Sequence, residues 1–378
     1  MNEKIKIFTA RTIQEVQELR NFWETLNPFP LAHIDYFLTL IEFRDAIQRP
    51  HVVMLCRGET PEALAVGRIE NLSKTFEIGN IIRYRSNIKT LIFDVGCFVG
   101  KFSSENSHII IRELIKSLKN READVAFFSE VPTNSSIYQF RKSIPGILYR
   151  DYFPDIQGHH RMTLPSSVDS FFKSRKKAKN LRRIGNRLNR EFDGNVKVQC
   201  FRKEEEVDKL CRDADRISRR SYRHASGGGF VDNLGNRRCL TELAKKGALL
   251  AYILYLNDKA SAFEGGVFFD NTYFADYCGY DMEYKKYEIG TYLEIKVIES
   301  LCVDPEFEYY DFGWMDTYHK NRYCDIMLEE ANFKLYQPSL KGFYLNGKRM
   351  IYRVGQMGAD IVAKEYLNIR RRVRDKLK

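Results

Sequence analysis

The chain reads as an α/β protein built from two similar domains, each a mixed sheet flanked by helices. Three observations lead there. At 378 residues it exceeds the usual size of one domain. Helical apolar spacing alternates with short β-rich runs. The order hairpin, strand, helix, strand, helix occurs twice, offset by roughly 180–200 residues. The expected domains are 1–160 and 161–378.

The N-terminal half opens with a strand over Lys4–Ala10 and helices near Ile13–Leu26 and Ala32–Phe43. His51–Arg57 and Ala63–Glu70 flank Gly58-Glu59-Thr60-Pro61, whose turn chemistry predicts a hairpin. Lys89–Val95 is a further strand. Ile111, Leu114, Ile115 and Leu118 share one face of a helix over His108–Lys119. Ala123–Phe128 reads as a buried strand and Ser136–Ser143 as a short helix.

The C-terminal half repeats this order. Ala248–Leu256 and Ala260–Phe269 form a hairpin around Asn257-Asp258, and Asp270-Asn271 turns the chain into strand Thr272–Tyr280. Helix Thr291–Cys302, strand Glu308–Phe312 and a short helix near Tyr318–Tyr323 follow. Between the halves, Ser166 and Asp169 fit a capping box before Phe171. Ala178, Leu181, Ile184, Leu188 and Phe192 then mark an apolar stripe. Strand Val196–Phe201 and a helix near Glu204–Arg220 come next. Ser226-Gly227-Gly228-Gly229 reads as a flexible loop at the edge of a site.

The net charge of +11 is unevenly spread. Lys173–Arg190 holds nine basic residues and no acidic one, and Lys364–Lys378 holds seven basic and two acidic. The remainder is slightly acidic. Such patches suit a phosphate-bearing partner or an anionic surface, or else a solvated helix face. No apolar run approaches the roughly 20 residues of a membrane helix, and the N-terminus lacks a signal-peptide core. A cytoplasmic protein is expected, with peripheral membrane contact through the basic segments as a further option. The eight cysteines are scattered without C-x-x-C spacing, which argues against a zinc site and a disulfide framework. No histidine pattern suggests a metal, and none is expected.

The most informative stretch is 273–324. After strand Thr272–Tyr280 come Lys285 and Lys286, then Gly290 and Thr291 at a helix start. Free N–H groups, the helix dipole and two lysines make an anion cradle suited to a pyrophosphate, as in coenzyme A. Asp311-Phe312-Gly313 ends the next strand, with Tyr318-His319-Lys320 beyond.

These pieces, with the basic Phe171–Arg190 helix, resemble the CelD-like acetyltransferase family of bacterial polysaccharide gene clusters. That family lies within the GNAT superfamily and is related to Fem-type aminoacyl-transferases. The resemblance is best over 160–330. It implies two GNAT-like folds in tandem, the N-terminal one degenerate, with a site between them or in the C-terminal one, and a donor held between splayed strands that map to Thr272–Tyr280 and Glu308–Phe312. The pyrophosphate would meet Lys285 to Thr291. The usual GNAT loop carries several glycines and an arginine or glutamine, whereas here only Gly290 stands with Lys285 and Lys286. An aminoacyl-tRNA donor therefore stays open.

Acyl transfer to an amine needs a base, a polarised carbonyl and an assisted leaving group. Glu264, beside Gly265-Gly266, is one base candidate, because burial would raise its pKa. Asp276, opposite in face to Tyr277, is another. Both compete with a plain structural role. Asp311 ends a parallel strand, where ligands gather, and would orient the amine or pair with Lys320. Lys320 would bind donor phosphate or acceptor carboxylate, and Tyr318 would protonate the leaving thiolate.

The leading expectation is an N-acyltransferase using acyl-CoA, acetyl-CoA among them. Its acceptor would be an amine on a sugar or a cell-surface polymer precursor. The alternatives are a Fem-type aminoacyl-transferase that contacts tRNA through Lys173–Arg190, and a non-catalytic protein that binds nucleic acid or an anionic surface.

Overall fold

The computed structural model describes residues 4–78, 82–141, 150–173, 178–225, 228–314 and 323–355. They fall into two compact units. The first takes in the chain up to Thr12, Ala46–Ile156 and the chain from Ala331; the second takes in Ile13–Asp45 and Gln157–Glu330. A single cut at 160/161 is thus too simple. Residues Ile13–Asp45 join the second unit because their side chains pack there. Phe29 stands edge-on to Phe269 and Phe274, at 5.4 and 5.1 Å, and Lys246 pairs with Asp35 at 3.2 Å. Residues beyond Ala331 join the first unit through Phe333, stacked on Phe128 at 4.5 Å, and Asn332, whose Oδ1 accepts the Glu130 N–H at 2.7 Å.

The first unit contains β1 (Ile5–Ala10), β2 (Ile47–Arg57), β3 (Thr60–Ile78), β4 (Ile82–Phe93), β5 (Phe98–Gly100) and β6 (Val125–Pro132). β1 to β4 pair antiparallel in sequence order, and β6 adds in parallel to β4. Helix Ser104–Lys119 makes the crossover that a parallel pair requires. Ser103 caps it by accepting the Asn106 N–H, and Ile110, Ile111, Leu114 and Leu118 are its buried face. The last β4–β6 pair, Phe93 with Phe128, is also the end of β4. Their rings stack at 5.1 Å.

The second unit contains β7 (Asp155–Thr163), β8 (Val196–Phe201), β9 (Leu249–Leu256), β10 (Lys259–Phe269), β11 (Thr272–Tyr280), β12 (Tyr309–Trp314) and the start of β13 (Ile326–Tyr336). The sheet order is β13-β7-β12-β11-β10-β9-β8. Asn257-Asp258 and Asp270-Asn271 hold both hairpin turns with positive φ, as a tight turn of matching twist demands. β11 and β12 are parallel, and helix Ile289–Cys302 crosses between them. Both units therefore show the same antiparallel run followed by a parallel strand.

Helix Val168–Lys173 is capped one residue later than expected: Ser167 Oγ accepts the Ser170 N–H at 3.1 Å. The basic helix, Ala178–Glu191, keeps its apolar face inside the second unit. Ile184 and Leu188 are buried in one core with Tyr292 and Leu293 of helix Ile289–Cys302. Arg182, Arg183, Arg187 and Arg190 are exposed.

Candidate active site

β11 and β12 pair over only three positions: Thr272 with Tyr309, Tyr273 with Tyr310 and Phe274 with Asp311. β11 then runs on from Ala275 to Tyr280 without β12. Two bulges flank this parting. On one side β10 and β11 slip between Gly265 and Gly266, leaving Asp276 as the extra residue. On the other, β12 slips against β7 between Asp311 and Gly313, leaving Phe312 extra. A bulge ends regular pairing and re-aims side chains, so two of them here open the sheet. Gly266 is required for the first. A Cβ at that position would fall on the carbonyl oxygen of Phe274.

The helix after β11 begins at Ile289, two residues before the expected start at Thr291, so Gly290 and Thr291 lie in its first turn. Glu288 precedes it in the left-handed region, φ +57, and offers no side-chain cap. The first-turn N–H groups have no intrahelical acceptor, and here no side-chain cap replaces it. Lys285 and Lys286 are exposed in the 3₁₀ turn Met282–Tyr287 just upstream. Arg187 of the basic helix donates to the Lys286 carbonyl at 3.1 Å. Lys285, Lys286, Gly290 and Thr291 lie in one stretch of chain, with the helix dipole positive toward it.

Glu264 is 6% exposed. It pairs across the sheet with Tyr252 and Cys278, and accepts the Tyr310 hydroxyl at 2.6 Å. Burial, and then the charges of Glu264 and Glu294, push the Tyr310 hydroxyl well above its ordinary pKa, so it stays a donor. Tyr273 is shifted upward likewise, by burial first and then by Glu264. Asp276, in contrast, is exposed.

Asp311 is 1% exposed and heavily engaged. Its Oδ1 lies 2.7 Å from His159 Nε2 and accepts the Gly313 N–H at 2.8 Å. Arg161 Nε donates to Oδ2 at 3.1 Å. The other nitrogen of His159, Nδ1, lies 2.7 Å from Glu330 Oε2. Burial disfavours charge on His159, but the bonds to Asp311 and Glu330 outweigh it and raise its pKa to about 10. Burial works against the Asp311 carboxylate too, yet His159, the Gly313 N–H and Arg161 hold its pKa below the ordinary value. Asp311 is therefore a buried ion-pair centre rather than an open contact for an amine. His159 and Glu330 were not legible as its partners. Tyr318 and Lys320 lie outside the described residues.

A family model described as the acetyltransferase (GNAT) domain matches residues 175–321, less than half of the chain. Residues 175–321 are a GNAT domain. No curated protein matches the chain. Among solved structures, FemX has a TM-score of 0.58 at 11% identity, over 88% of this chain and 97% of its own. L-PGS from Bacillus licheniformis has a TM-score of 0.53 at 14% identity, over 89% and 95%. The C-terminal domain of a putative lysylphosphatidylglycerol synthetase from Agrobacterium fabrum has 0.51 at 11%, over 90% and 97%. At these identities the likeness is one of fold. The chain consists of two units with the same strand pattern, and the GNAT match falls in the second. The parting of β11 and β12 lies within the GNAT domain.

Proposed function

We propose that this protein is an N-acyltransferase that moves an acyl group from a coenzyme A thioester to an amine. The observation that carries the reading is the parting of β11 from β12 after Phe274, next to an uncapped helix start with Lys285 and Lys286 upstream. A thioester lies in such a gap with its carbonyl toward the edge of β11 that faces away from β10. Its pyrophosphate meets the first turn, at Gly290 and Thr291, and the two lysines. β4 of the first unit ends at its last parallel pair, and Phe93 and Phe128 fill that place, so the first unit takes a supporting role.

Asp276 is the base. It sits exposed at the bulge, whereas the buried Glu264 is tied to Tyr310. Asp276 takes a proton from the ammonium, directly or through water. The amine nitrogen then attacks the thioester carbon, the C–N bond forms, the C–S bond breaks, and the sulfur leaves as a thiolate that takes up the proton the nitrogen sheds on becoming an amide. Glu264 and Asp311 hold the strands on either side of the gap. The test is thiol release from acetyl-CoA on addition of amines. Release that depends on both the amine and Asp276 supports the reading; a full amine panel without release contradicts it.

A second reading is aminoacyl transfer from charged tRNA. It is favoured by the four exposed arginines of the basic helix, one of which is bonded to the turn that carries Lys285 and Lys286. Charge reversal at Arg183 and Arg190 would then abolish transfer, with a steep salt dependence. Transfer insensitive to both would dismiss it.

A further inference from the structure

The second unit holds a cavity of about 290 Å³. One side is formed by Asp276 and Tyr277, in the run of β11 that has left β12. Phe230 stacks on Tyr277 with ring centroids 5.5 Å apart. Leu240 adds an aliphatic wall, and Leu31 and Tyr36 close the cavity from the N-terminal segment that belongs to this unit.

The chemistry of this wall is lopsided. Among the described residues lining it, Asp276 is the one charged side chain. The other polar side chains are Asn236, whose amide nitrogen is committed to the Val231 carbonyl at 2.7 Å, and Tyr36 and Tyr277, whose rings are apolar but whose hydroxyls are not; that of Tyr277 is buried with no hydrogen-bond partner among the described residues. A polyhydroxyl ring requires a hydrogen-bond partner for each hydroxyl it buries, and each one left unmet is costly. Aromatic faces and branched aliphatic groups instead reward apolar surface.

The wall is also held in place before any ligand arrives. Gly229 has φ +118, and a Cβ there would collide with the Ser218 hydroxyl. The Asp232 N–H donates to Asp215 Oδ1 at 3.1 Å, and Arg237 grips both Asp232 oxygens at 2.6 and 2.7 Å. Phe230 therefore hangs from an anchored loop, and Leu31 and Tyr36 from a segment pinned by Phe29. A site that is already shaped loses less ordering entropy on binding.

We infer that this cavity takes a primary amine carried on an apolar or aromatic body, with the ammonium at Asp276 and the body against Phe230, Tyr277 and Tyr36. Its role as an acceptor site rests on the transferase reading; its ligand class does not. Where the expectation was an amine on a sugar or a cell-surface polymer precursor, the inference commits to an amine on an apolar or aromatic body.

The test is calorimetric titration of the full chain, without donor, with tryptamine and with glucosamine. Both are primary amines; one is aromatic and the other polyhydroxyl. Saturable tryptamine binding is expected, with glucosamine at least about tenfold weaker. Phe230→Leu and Asp276→Asn should each weaken tryptamine by about tenfold, with thermal unfolding reporting that both variants fold. Glucosamine binding as tight as tryptamine, or no tryptamine binding, overturns the inference on the native protein alone. Tryptamine binding untouched by both substitutions also overturns it. Tryptamine bound as expected by a protein that binds no coenzyme A ester would support the cavity and sink the transferase.

Discussion

His159 Nε2 lies 2.7 Å from Asp311 Oδ1, deep in the second unit, and this pair joins β7 to β12 beside the parting of the sheet. With Nδ1 on Glu330, the ring is an imidazolium that donates from both nitrogens to two carboxylates. The parting of β11 and β12 is thus bordered by a fixed strand whose position is set by charge.

Removing the cation should be costly. His159→Ala removes the partner that Asp311 and Glu330 share and leaves Asp311 with Arg161 and the Gly313 N–H; breaking a buried pair in this way costs about 3–5 kcal/mol. Urea unfolding should show a loss of that order. A loss under about 1 kcal/mol would mean that the pair does not hold the strands.

The same pair predicts a pH dependence. The folded pKa of His159 is raised from 6.5 to about 10. Its contribution is therefore full below pH 6.5, shrinks as pH rises, and is gone once pH passes about 10. The Asp311 pKa is lowered from 3.8, so its contribution is present above that value and disappears as pH falls through the folded pKa. Chemical denaturation of wild type and His159→Ala across pH 6–10.5 should show the gap between them closing toward the alkaline end. A gap that stays constant would contradict the charged imidazolium.

Fold and site were unequally legible. Hairpin turns at Asn257-Asp258 and Asp270-Asn271 announce themselves, since those residues tolerate positive φ, and β8 and β11 have the bounds that their β-rich runs suggest. β7 and β13 do not show. Their sequences, DIQGHHRMT and IMLEEANFKLY, place polar residues at buried positions, and those residues make the ion pairs. His159, Asp311 and Glu330 meet only because β12 pairs antiparallel with a strand some 150 residues earlier. Asp311-Phe312-Gly313 was visible as a motif. Its meaning, a bulge in which Asp311 accepts the Gly313 N–H, depends on the partner strand.

The two base candidates separate by substitution. Asp276→Asn should lower kcat by about 10²-fold or more with little change in unfolding free energy, as for loss of a general base. Glu264→Gln keeps an acceptor for Tyr310 but removes the buried charge, and should alter stability more than turnover. Steady-state kinetics beside urea titration distinguishes them. The reverse pattern would transfer the base role to Glu264.

Gly266→Ala tests the bulge. Its Cβ meets the Phe274 carbonyl, a backbone atom that cannot swing aside. The pairing should shift, with a loss of about 1–3 kcal/mol and of transfer activity. An unchanged melting temperature and rate would show that the parting of the strands does not depend on this bulge.

The central claim is that the donor's pyrophosphate lies at the start of helix Ile289–Cys302, and calorimetric titration with acetyl-CoA tests it most directly. Saturable binding is predicted, weakened at least about tenfold by Lys285→Glu with Lys286→Glu, and weakened further by added salt. The absence of saturable binding, or binding indifferent to both charge reversals, would contradict it.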